Sequence, residues 1–192
     1  MGENFNAPVQ DLNELLKIRR EKLENLRQSG NDPFVKTKYD VTDYSVDIKS
    51  DYSTYEGKTV SLAGRIISRR IMGKASFVGL RDGEGDIQLY VSRDDVGEEN
   101  YAAFKKWDIG DVIGVKGFVF TTKTGEISVH TQHIEMLAKS LIPLPEKFHG
   151  LKDNDLRFRQ RYVDLIMNPN VKRNFIIRSQ FIKFMRKYLD DM

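Results

Sequence analysis

The chain has no cysteine, one tryptophan, five prolines and three histidines in 192 residues. Without cysteine there is neither a disulfide framework nor a thiolate metal site. His130, His133 and His149 lack zinc-like spacing to partner ligands, so no metal centre is expected. No apolar run approaches the roughly 18 residues of a membrane span. Met1 to Phe5 lack the basic and apolar regions of a secretory leader. The expectation is a cytoplasmic protein with no membrane partner. No nucleophile triad and no pair of catalytic carboxylates stands out among the acidic residues.

What the chain does have is a globular composition, 40% hydrophobic and 31% charged, at a length that permits one or two domains. A formal net charge of +3 is too small to diagnose a nucleic-acid partner by itself. Its distribution says more. Eleven Lys and Arg residues fall between Lys147 and Lys187, against Asp153, Asp155 and Asp164, whereas the rest of the chain is near neutral or acidic.

Residues 11–29 carry Leu12, Leu15, Leu16, Leu23 and Leu26 at helical spacing, with Asp11 as N-cap and Glu14 three residues on. Ser29-Gly30-Asn31-Asp32-Pro33 ends this helix. The Tyr- and Asp-rich stretch 39–55 reads as a short helix or an irregular connection. From Lys58 to Leu137 the period changes to two. Strands are expected near 59–69, 76–82, 86–92, 111–121 and 125–137, with a helix over 98–107. The run from Arg81 to Asp86 carries the Asp and Gly residues of a tight hairpin. Five strands with one helix between the third and fourth match a mainly β fold with flanking helices, the five-stranded Greek-key barrel called the OB-fold. Gly64, Gly79, Gly114 and Gly117 suit strongly coiled strands closing such a barrel.

Alternation then sorts the strand residues by face. Val60, Leu62 and Ile66 point inward, leaving Arg65 outside. Val78 and Leu80 point inward, leaving Phe77 outside next to Gly79, which has no side chain to obstruct a flat ligand. Ile87, Leu89 and Val91 point inward, leaving Gln88 and Tyr90 outside. A ring for stacking, an amide with donor and acceptor, and a guanidinium on one surface suit an unstacked base. The basic loop before Phe77 supplies Arg69, Arg70 and Lys74 as phosphate contacts. It is not a phosphate-binding P-loop, since Ser68 and Ala75 stand where Gly and Ser or Thr are required. The plainer readings are a solvated turn for this loop and packing of Phe77 against a neighbouring element. His130 and His133 read as strand-face residues rather than metal ligands.

Pro143 and Pro145 mark the end of the barrel, and the stretch to Met167 mixes helix and loop signals. Arg157, Arg159 and Arg161 alternate around Phe158, Gln160 and Tyr162, a pattern suited to phosphates, to acidic partners or to ion pairs that tie the linker to a further domain. Residues 170–192 then form a helix whose apolar residues cover more than one face and need partners on two sides. With no cap or breaker at its end, the chain is expected to be cut from a longer protein. The rival is a natural terminal helix that dimerises.

Three stretches carry a specific resemblance: Arg69-Arg70-Ile71-Met72-Gly73-Lys74-Ala75-Ser76-Phe77, Ile87-Gln88-Leu89-Tyr90-Val91, and the linker from Lys147-Phe148-His149-Gly150-Leu151 through Arg159-Gln160-Arg161-Tyr162-Val163-Asp164-Leu165. Together they resemble the bacterial-type class II lysyl-tRNA synthetases over almost the whole chain. The resemblance implies a helical extension over 1–57, an anticodon-binding OB-fold over 58–140, a linker over 141–169 and the start of a class II catalytic domain over 170–192. It implies that Phe77 stacks on the central uridine of a lysine anticodon and that Gln88 hydrogen-bonds an anticodon base, with Arg65 and Arg70 at matching basic positions. Where some family members carry an acidic residue for the first anticodon base, this sequence aligns His133. Phe175, Ile177, Phe181, Phe184 and Tyr188 would lie on the helix of a homodimer interface. The parent reaction uses lysine, ATP and Mg2+ and loads the 3′ end of tRNA, but no catalytic residue, cofactor or metal ligand is carried over onto this chain. Two other readings stand beside it: a freestanding module for single-stranded nucleic acid, and an interaction protein whose exposed helix recruits a partner.

Overall fold

The computed structural model describes residues 9–145 and 153–192 and divides into two compact units after Pro143. The linker stretch 147–151 lies outside the described residues. In the first unit, α1 (Val9–Gln28) is followed by a 3-10 turn (Pro33–Val35) and the short helices α2 (Ser45–Ser50) and α3 (Tyr52–Tyr55). Five strands follow: β1 (Thr59–Met72), β2 (Ala75–Arg81), β3 (Asp86–Ser92), β4 (Val112–Thr121) and β5 (Ile127–Ala138). Between β3 and β4 lie α4 (Arg93–Val96) and α5 (Glu98–Lys105). The strands close into a barrel in the order β1-β2-β3-β5-β4, with β3 and β5 parallel and every other pair antiparallel. This is the OB-fold that the strand pattern implied.

The barrel closes because β1 is long enough to serve two neighbours. Its first half, from Thr59 to Arg65, pairs with β4, and its second half, from Arg65 to Met72, pairs with β2. At the turnover, a Cβ on Gly64 would lie 2.5 Å from the Arg81 carbonyl oxygen, so only glycine allows the strands to approach. A β-bulge between Ile66 and Ser68 then shifts the alternation by one residue. Inward residues fill the interior: Leu62, Ile66, Leu80, Leu89, Ile113, Val115, Val119 and Val129 are all fully buried. Tyr101 and Phe104 from α5 belong to the same core, and the Tyr101 hydroxyl lies 2.8 Å from Ser76 Oγ and donates to the Gly73 carbonyl at 3.1 Å.

Several boundaries differ from the sequence expectations. Helix α1 already includes Val9 and Gln10 among the described residues, so Asp11 is not its N-cap; neither Val9 nor Gln10 is a helix breaker. The helix expected over 98–107 ends at Lys105, and α4 precedes it, capped by Ser92 Oγ accepting from the Asp94 amide at 3.2 Å. Gly97, at φ 87°, turns the chain between the two. The β2–β3 hairpin is held by Asp82, whose Oδ1 accepts from the amides of Glu84 and Gly85 and whose Oδ2 accepts from the Ser45 amide.

Helix α1 is fastened to the barrel by charge. Arg19 donates to the carbonyls of Ser140 (3.0 Å) and Ile109 (3.1 Å), and Lys22 meets Asp108 at 2.6 Å. Asp108 also accepts from the buried Lys139 at 2.6 Å. Lys139 reaches both oxygens of the fully buried Asp111 at 2.9 Å. Burial works against the charge on Asp108, but the hydrogen bonds from Lys139 and Lys22 outweigh it and hold the carboxyl below its ordinary range.

The second unit contains α6 (Asn154–Arg159), α7 (Arg161–Met167) and α8 (Pro169–Asp190). Its organising residue is Asp164, fully buried, which accepts from Arg157 Nε at 2.9 Å, Asn168 Nδ2 at 2.7 Å and the Arg161 guanidinium. Arg159 pairs with Asp155. The alternating arginines are thus spent on internal ion pairs: they lie on two successive helices rather than on one extended segment. No residue of α8 is buried, and its apolar side chains, among them Phe175, Ile177, Phe181, Phe184 and Tyr188, are exposed.

Candidate nucleic-acid interface

Two adjacent rungs of the barrel's outer face make the site. Register places Arg70, Phe77, Tyr90, His130 and Phe118 side by side across β1, β2, β3, β5 and β4. One step along the strands, about 7 Å away, lies the second rung: Ser68, Gly79, Gln88, Ser128 and Phe120. The rings of the two rungs are continuous. Phe77 and Tyr90 centroids are 5.4 Å apart, Tyr90 and His130 are 5.0 Å apart, and His130 stacks on Phe118 at 4.6 Å with planes 22° apart. Phe120 joins at 6.2 Å from Tyr90 and 5.6 Å from His130. From Phe77 to Phe118 the platform crosses three strand spacings, about 14 Å, with every ring partly exposed.

Phe77 keeps an open position. The long-range side-chain hydrogen bonds from α1 go to Asp108, Ile109, Ser140 and Ile142, none of which is on β2 or β3. Gln88 lies diagonally beside Phe77, and its Oε1 accepts from Ser128 Oγ at 2.9 Å. Gly79 serves a different purpose from the one its position suggested. The Ser68 hydroxyl occupies the space where a Cβ of residue 79 would stand, so glycine lets the two strands of this rung share one polar group. Arg70 and Lys74 are exposed at the edge of the rung and at the β1–β2 hairpin tip, and Gly73 between them takes the left-handed turn at φ 66°. Cations at such an edge meet phosphates while the rings meet bases.

Arg65 and Arg69 are placed elsewhere. Arg65 pairs with Arg81, four residues along β2 from Phe77, about 14 Å, and donates to the Gly110 carbonyl at 2.6 Å. Burial pulls its guanidinium below its ordinary value, with nearby Asp111 working the other way. Arg69 falls on the inward phase beyond the bulge, opposite Val78, and its Nη1 donates to the carbonyls of Phe104 and Lys105 at 3.2 Å and to that of Trp107, closing the C-terminal end of α5. Arg65 lies ahead of the bulge, whereas Arg69 is turned inward by the bulge at Ile67. The same bulge makes Arg70 the basic neighbour of Phe77.

His133 is exposed beside Lys116, beyond the last paired residues of the β3–β5 ladder, Val91 and Thr131, with its Nε2 3.6 Å from Glu135. It therefore stands off the ring platform. His130, Phe118 and Phe120 are the platform members that the sequence reading did not assign to a site. His130 is further fixed by Asp95 of α4, 2.8 Å from its Nε2. Inward Val129 signals that His130 points outward, but its placement beside Tyr90 depends on the parallel β3–β5 pairing, which no short-range pattern encodes.

Among the described residues no group of three or more His, Asp or Glu is placed to hold a metal ion. No helix among them is long and apolar enough to cross a membrane.

Residues 60–137 match a family model described as an OB-fold nucleic acid binding domain, named for the tRNA anticodon. The chain is 56% identical over 190 residues to a lysine–tRNA ligase of Thermoanaerobacter sp. (strain X514), covering 99% of this chain and 38% of that protein. It is 52% identical over 181 residues to the lysine–tRNA ligases of Clostridium novyi (strain NT) and Syntrophomonas wolfei, covering 94% of this chain and 36% of each. The chain thus spans less than two fifths of the length of these relatives.

Proposed function

We propose that this chain, homologous along almost its entire length to lysine–tRNA ligases, is the anticodon-reading part of such an enzyme. The observation that carries the proposal is the joint placement of Phe77 and Gln88 on the open face of an OB-fold, with Arg70 at its edge. Phe77 stacks on the central base of a lysine anticodon, Gln88 hydrogen-bonds an anticodon base, and Arg70 and Lys74 meet the backbone. Arg65 and Arg69 support the barrel that presents them. His133, with Lys116 beside it, flanks the platform as an outlying contact.

The parent reaction is activation of lysine by ATP with Mg2+, followed by transfer to tRNA in the cytoplasm. No step of it is assigned to a residue of this chain, whose contribution is specificity. Helix α8 supplies a homodimer interface through Phe175, Ile177, Phe181, Phe184 and Tyr188, at the start of the catalytic domain. Residues 1–57, 58–140 and 141–169 serve as extension, anticodon domain and linker. Identity to ligases along both units favours this reading over a freestanding single-strand-binding module. The test is competition: a lysine anticodon stem-loop is expected to displace a labelled copy of itself far better than an unrelated single strand of equal length. Equal competition by both would overturn the proposal in favour of the generic module.

A further inference from the structure

Resting on that reading of the face, we propose that Ser128 is a positioning residue: it fixes which branch of the Gln88 amide meets the base, and so makes the site select a carbonyl oxygen over an exocyclic amine. Ser128 is fully buried beneath the second rung, and its Oγ lies 2.9 Å from Gln88 Oε1 and 3.2 Å from the Glu126 carbonyl oxygen. A hydroxyl has one proton to give. The Glu126 carbonyl already accepts from the Thr122 amide at 3.0 Å and lies 3.2 Å from the Thr122 hydroxyl, whose one proton it shares with Thr124 Oγ1 at 3.0 Å. With an amide donor already on the Glu126 carbonyl, the nearer acceptor for the Ser128 proton is Gln88 Oε1.

The consequence is directional. Oε1 and Nε2 are the two branches of one planar carbon, so an Oε1 held inward by a buried hydroxyl leaves Nε2 on the exposed branch. Among the described residues nothing accepts from Nε2. The residue thus offers donors only to whatever rests on Phe77. The two pyrimidines share O2 and differ at position 4, where uracil presents an oxygen acceptor and cytosine an amine donor, so an Nε2 meeting that position is set donor against donor by cytosine. An amide free to turn over would accept either base. Register supports the assignment independently, because Ser128 is paired directly with Gln88 in the β3–β5 ladder.

The test is a set of equilibrium titrations of the 192-residue chain with a lysine anticodon stem-loop and with a copy whose central uridine is cytidine. The wild-type chain is expected to prefer uridine, and Ser128→Ala to lose about three- to tenfold of that preference, the worth of one neutral hydrogen bond, with the unfolding midpoint lowered by only a few degrees. Ser128→Thr keeps the hydroxyl and should restore the preference. Gln88→Glu places an acceptor on the exposed branch and should turn the preference toward cytidine, whatever the added charge does to both affinities alike. A Ser128→Ala chain that discriminates like wild type, or a Gln88→Glu chain that still prefers uridine, overturns the inference while leaving the face as a base reader. Absence of any preference in the wild-type chain overturns the base reading and this inference together.

Discussion

Replacing Phe77 with alanine separates the binding face from the core. The ring lies on the outer face with one ring neighbour, Tyr90 at 5.4 Å, and its register partner on β1 is the exposed Arg70. A cross-strand pair of this kind contributes about 0.2–1 kcal/mol to the sheet, so the unfolding midpoint should fall by no more than about 4 °C. Base stacking on an aromatic is worth about 1–3 kcal/mol, so affinity for a lysine anticodon stem-loop should drop by about five- to 150-fold. Phe104 is the matched control. It is fully buried in the core, and Phe104→Ala should cost about 3–5 kcal/mol of stability. Fluorescence titration and thermal unfolding of both variants are the assays. Unchanged affinity in Phe77→Ala would refute the stacking role, and a loss of stability matching that of Phe104→Ala would show that the ring is a core residue after all.

Removing Arg70 and Lys74 together should weaken binding of all RNAs alike and lower the slope of log affinity against log salt by about 0.7 per lost phosphate contact; an unchanged slope would return both to the solvated-turn reading. Because the Asp108 carboxyl is held below its ordinary range, its pairing with Lys139 and Lys22 stabilises the fold fully above the unfolded-state value, and that stability is lost as pH falls through the lower folded value. Urea unfolding should therefore show a fall in stability on acidification that Asp108→Asn flattens, and an identical pH profile in the variant would count against this. The exposed apolar side chains of α8 should drive concentration-dependent self-association, reduced by serine at Phe181 and Phe184. Sedimentation showing a strict monomer at high concentration would contradict it.

Period-two alternation was sufficient to find all five strands, because a half-buried sheet repeats its inward residues locally; Val78–Leu80 and Ile87–Leu89–Val91 are instances. The Asp82 hairpin was equally legible, since its side chain bonds amides two and three residues away. The outward placement of Phe77 and Gln88 was legible for the same reason. What escaped the sequence depends on events between distant segments. The bulge at Ile67 shifts the phase of β1 and sends Arg69 to the end of α5, a carbonyl cluster 35 to 38 residues away. The parallel pairing of β3 with β5 brings His130 and Ser128 to Tyr90 and Gln88, and no turn between those strands announces it. Alternation left Arg157, Arg159 and Arg161 open to phosphates or to ion pairs, because the helices that bring Arg157 and Arg161 to Asp164 and Arg159 to Asp155 are not visible in a period-two pattern.

The central claim is that the Phe77–Gln88 face reads a base. Titrating the wild-type chain with a lysine anticodon stem-loop and its cytidine-substituted copy, in one buffer at one salt concentration, tests it most directly. The account predicts clearly tighter binding of the uridine form; equal affinity for the two, or no binding of either, would contradict it.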